Sequence, residues 1–197
     1  MTHPAPRTPS VRARAATFAT TLSLALLAQL ALQLTFRQVR HPVPLSAANL
    51  EADVEVVRGW YARLLEQGTY LQMIRTELVD VVWAVLLGLT LVAIYRLVGA
   101  LLRQVHPPIA AGLVRWAPLA VTGPAFDLIE NAFSLAMLTD PYGFPAWWAG
   151  AHVAASWVKI VGCVLSALVG PTLTVVALRR GRRAREAAND GQALPPP

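Results

Sequence analysis

Four long apolar stretches alternate with short polar segments along this chain. The clearest runs from Ala15 to Phe36, between Arg14 and Arg37, without one charged residue. About 20 apolar residues cross a hydrocarbon core, so the pattern predicts a first membrane span at 15–36. A cleaved signal peptide, with Arg7, Arg12 and Arg14 as its basic region, is the competing reading. The run is longer than the roughly 7–15 apolar residues of such a leader, and no small-x-small site closes it. The second span is expected at 78–102, in a helix that begins near Thr69 and Gln72, which have capping-box spacing after Gly68. His106-Pro107-Pro108 stops it. The third, 116–138, ends at the turn Asp140-Pro141-Tyr142-Gly143. The fourth, 147–178, opens after Pro145 and carries a predicted kink at Gly170-Pro171.

Between the first two spans, Leu50, Val54, Val57, Tyr61, Leu64 and Leu65 recur at helical spacing, with Glu51, Glu55 and Arg58 mostly on the other side. This predicts an amphipathic external helix over 46–66 that caps the bundle or lies on the bilayer. Residues 1–11 and 186–197, rich in Pro, Ala and polar side chains, read as disordered tails around a membrane domain of 12–185. The fold class is therefore all-α: an integral membrane four-helix bundle with a short external helix.

Charge adds orientation. Ten of the 17 Lys and Arg fall in three short segments, Arg7 to Arg14, Arg103 to Arg115 and Arg179 to Arg185. All three lie on one side if the spans alternate, and the segments expected on the other side are neutral or lack basic residues. The positive-inside rule then places both termini in the cytoplasm of a plasma membrane, the inner membrane of a bacterium. Trp83, Trp147, Trp148 and Trp157 suit the outer interface. Because the basic residues flank apolar runs, topology explains them better than nucleic-acid binding. The partners expected are the bilayer, anionic lipid at Arg179–Arg185, and a second copy or another membrane protein. Small residues every four positions, Gly162, Ser166 and Gly170 and also Ala15, Ala19 and Ser23, read as packing seams or a self-association face. The single cysteine, Cys163, forms no internal disulfide.

The candidate site lies inside the spans, where charged side chains are costly and face protein or water. Asp127, Glu130, Asn131 and Ser134 form one stripe on the third helix, and His152, Ser156, Lys159, Cys163 and Ser166 one on the fourth. Counted from the basic residues at about 1.5 Å per residue, Asp127 lies about 18 Å deep, Lys159 about 30 Å and Asp80 about 34 Å. The expectation is a polar pocket in the outer half, opening outward. Asp127, Glu130, Asn131 and Lys159 build it, and Asp80 and His152 line its mouth. One lysine neutralises one carboxylate, so the other needs a proton, a cation, Arg96 or a ligand. A cluster that only fixes helix register is the competing reading. A carboxylate-bridged metal site lacks ligands beyond His152, and a Ser–Lys nucleophile from Ser156 or Ser134 lacks an oxyanion hole. No cofactor is expected, and the balance leans against an enzyme.

The stretch from Phe126 to Lys159 resembles a loose group of small bacterial four-helix membrane proteins. The resemblance rests on Asp127-Leu128-Ile129-Glu130-Asn131 in the third helix, Asp140-Pro141 in the turn and Lys159 in the fourth. It implies the same topology and no activity. The functional expectation is a protein that binds or moves a small polar solute, a cation or a lipid headgroup; the alternative is a structural or accessory subunit.

Overall fold

The computed structural model describes residues 9–192 and is all-α. Its helices are α1 (Val11–Val39), α2 (Leu45–Ala48), α3 (Val54–Glu66), α4 (Tyr70–Leu102), α5 (Pro107–Trp116), α6 (Thr122–Thr139) and α7 (Ala146–Gln192). A 3-10 turn, Ala117–Val121, joins α5 to α6. Four stretches are long and apolar enough to cross a membrane: Val11–Val39, Tyr70–Leu102, Pro107–Thr139 and Ala146–Val169. The protein is a multi-pass membrane helix bundle. Of the expected tails, residues 1–8 and 193–197 lie outside the described residues, and α7 runs on to Gln192.

The four spans form a row. α4 packs along α1 on one side and α6 on the other, and α7 packs along α6. α1 and α7 do not pack on one another to any extent, which leaves a groove between them. The α6–α7 seam is set by two glycines. A Cβ on Gly162 would sit 2.7 Å from the Gly123 backbone nitrogen, and one on Gly123 would sit 2.8 Å from the Cys163 backbone nitrogen. Backbones this close admit no side chain between them. By contrast Ala15, Ala19 and Ser23 are exposed, so this stripe is not a seam within the chain.

Two apolar clusters close the ends of the bundle. Val57, Tyr61 and Leu64 of α3 pack with Met73, Met137 and Phe144 at one end, called here the capped end. Tyr95, Leu102, Leu113 and Ala120 pack at the other, the basic end. Asp53 caps α3 by accepting from the backbone N–H of Glu55 and Val56. Gly68, at φ +69°, turns the chain into α4, a left-handed conformation that glycine adopts without steric cost.

Several boundaries differ from the sequence reading. The expected helix over 46–66 is two helices, because the chain breaks over residues 49–53 and turns Asn49 inward. Thr69 stands at the start of α4 but its side chain makes no cap bond, so the capping box does not form. The expected cytoplasmic loop at 103–115 is mostly α5. His106-Pro107-Pro108 ends one helix and starts the next, since proline needs no N–H in a first turn.

Candidate functional site

The Gly123–Gly162 crossing fixes what stands one turn further on. Asp127 follows Gly123 by four residues and Lys159 precedes Gly162 by three, so the seam brings the two side chains level. Lys159 Nζ lies 3.0 Å from Asp127 Oδ1 and 2.6 Å from Glu130 Oε2. Both carboxylates are 1% exposed and the lysine side chain 17%. Asn49 donates through Nδ2 to Glu130 Oε1 at 2.5 Å. The Ser156 hydroxyl lies 2.8 Å from the Asn49 carbonyl oxygen and 3.0 Å from that of His152. His152 Nε2 is 3.1 Å from Ser134 Oγ and 4.0 Å from Glu130 Oε1.

α4 contributes a second pair of buried acids. Asp80 lies against Asn131, and Glu77 against Ser134. The layer thus holds four carboxylates, Glu77, Asp80, Asp127 and Glu130, around one lysine. Fully ionised, it would carry an excess of three negative charges, from four acids and one base. Protons, a cation or a basic ligand must balance that excess in so dry a place.

All six residues singled out from the sequence fall in or beside this layer. The depth count, however, had set Asp127 far from Lys159 and Asp80. Arg103, Arg115 and Arg179 are not level with one another: Arg115 lies in α5, which folds back on α4, and Arg179 lies far along α7. Asp80 and Lys159 line a cavity of about 490 Å³. Asp127, Glu130 and Asn131 do not line it but stand behind Lys159, and His152 lines a much smaller space beneath α3.

The cavity occupies the groove between α1 and α7. Gln29, Leu32, Gln33 and Phe36 of α1 form one wall, and Ser156, Lys159 and Ile160 of α7 the other. Asp80 and Trp83 form its floor. Leu45, Ser46 and Asn49 line it at the capped end.

Asn49 and Glu77 were missed from the sequence. Glu77 carried a signal, since Glu77, Asp80, Ala84 and Gly88 keep to one side of α4, and all are buried. Asn49 carried none, because its role depends on the break in the chain that follows it. The Ser–Lys reading does not fit the geometry: Ser156 is bonded to backbone carbonyls and Lys159 to carboxylates. Among the described residues, no three His, Cys, Asp or Glu side chains are disposed to hold a metal ion. No family model, curated protein or solved structure matches the chain.

Proposed function

We propose that this protein binds the polar head of a membrane amphiphile in the groove between α1 and α7. The observation that carries the reading is the cavity itself. It places an acid, Asp80, and a base, Lys159, in one space with Asn49, Ser156 and two glutamines, beside the apolar side chains Leu32, Phe36 and Ile160. A solute from water would meet the α2 cover. A lipid would enter from the side, with its head among polar groups and its chains along Leu32, Phe36 and Ile160. The excess of acids suits a head that carries a primary ammonium, such as phosphoethanolamine, whose ammonium would meet Asp80. The same reading puts both ends of the described chain in the cytoplasm, on the basic side of a bacterial inner membrane. The Asp-x-x-Glu-Asn resemblance supports attention to these residues and adds no activity.

The test is native mass spectrometry of the full chain in nanodiscs of phosphatidylethanolamine and phosphatidylcholine. Wild type retains phosphatidylethanolamine preferentially. Asp80→Asn lowers that preference about tenfold, the loss of one charge-assisted contact, while the protein still accumulates. Unchanged retention would contradict the reading.

A second reading is favoured by the direct closure of Lys159 on Asp127 and Glu130. Here the cluster only fixes helix register. It predicts that Glu130→Gln combined with Lys159→Met recovers the accumulation lost in either single change, with lipid retention unchanged by Asp80→Asn.

A further inference from the structure

The basic end of the bundle holds a second cavity, of about 450 Å³, between α1, α4 and α5. Arg14, Arg96 and Arg103 line it. Arg14 bonds through Nε to the Pro9 carbonyl and reaches the Arg96 carbonyl through Nη1, at 3.3 and 3.5 Å. Among the described residues, no further acceptor meets its guanidinium. Among the described residues, none of the three arginines forms an ion pair. The sequence explains why: residues 1–50 and 81–126 contain no Asp or Glu. α1, the second half of α4 and α5 therefore bring arginines together and supply no carboxylate to meet them. Three guanidinium groups in one recess repel each other unless an anion joins them. Leu89 and Val114 continue the lining, and both are exposed apolar side chains.

We infer that this recess is a binding site for the phosphate head of an anionic phospholipid. Guanidinium groups match phosphate oxygens in paired hydrogen bonds, and basic pockets between spanning helices suit such heads. The apolar lining beside the arginines gives the acyl chains a wall, which a free phosphate would not use. The site lies at the opposite end from the α1–α7 groove and does not rest on the function proposed there.

Thermal unfolding of the full chain in detergent tests it, with phosphatidylglycerol, phosphatidylcholine and inorganic phosphate as separate additions. Phosphatidylglycerol is expected to raise the melting temperature by several degrees, and the other two are expected to leave it unchanged. Arg14→Gln with Arg96→Gln and Arg103→Gln abolishes the rise. If that variant does not accumulate, Arg103→Gln alone, at an exposed position, at least halves it. Arg182→Gln with Arg183→Gln, in the basic run of α7, leaves it intact. The proposal is overturned if the recess variants keep the full rise, if the α7 variant removes it, or if inorganic phosphate reproduces it.

Discussion

Lys159 is held by two carboxylates at once, so its ammonium does more than cancel one charge. It joins Asp127 and Glu130, one turn apart on α6, to α7. This much follows from sequence: stripes at i, i+3, i+4 and i+7 can be counted, and a charge inside an apolar run needs company. A titration outside the spans is also expected to affect stability. His41 stands between Phe36 and Trp60, with Nδ1 2.9 Å from the Val43 carbonyl. Burial holds its pKa below the ordinary 6.5, against the smaller opposing effect of that backbone bond. The unfolded chain then binds more protons just below 6.5 than the folded one, so stability is full above that value and falls as pH drops through it. Replacing His41 by Phe keeps a ring in place and removes the titration. Melting temperatures at pH 7.5 and 5.5 should therefore differ less in His41→Phe than in wild type. Glu51, Glu77 and His152 line the same small cavity and are common to both proteins, so the comparison isolates His41. An equal difference would contradict this account.

At the scale of elements, the decisive feature is the close crossing of α6 and α7. Gly162→Ala would put a Cβ 2.7 Å from a backbone nitrogen, where no side chain can give way. The helices must separate, and the Lys159 contacts one turn away separate with them. A cost of about 1–3 kcal/mol is expected, as for overpacking, read as lower resistance to unfolding in detergent. Gly150→Ala, where nothing lies within 4 Å, serves as the control and should be neutral. Equal stability of the two variants would refute the crossing. The small-residue spacing at Gly162 was legible, but which helix it met was not, and the same spacing at Ala15 faces outward. Elements outside the long spans were harder to read. The break over residues 49–53 and the helix after His106 depend on packing against α4 and α7, which periodicity does not report.

The whole molecule is a row of helices with an apolar cluster at each end and a charged layer between. Four spans were evident because crossing lipid demands long, predominantly apolar runs. The groove was not, because it depends on which helices fail to meet, and α1 and α7 are far apart in the chain. The groove's exposure to lipid is the claim on which the functional reading depends. Spin labels at Gln33 and Ile160, on opposite walls, test it most directly in reconstituted protein with Cys163 replaced by Ala. Both labels should be relaxed strongly by oxygen, which partitions into lipid, and weakly by a water-soluble nickel complex. Dominant relaxation by the nickel complex at both positions would mean that the space opens to water, and the account of a lipid-facing groove would be wrong.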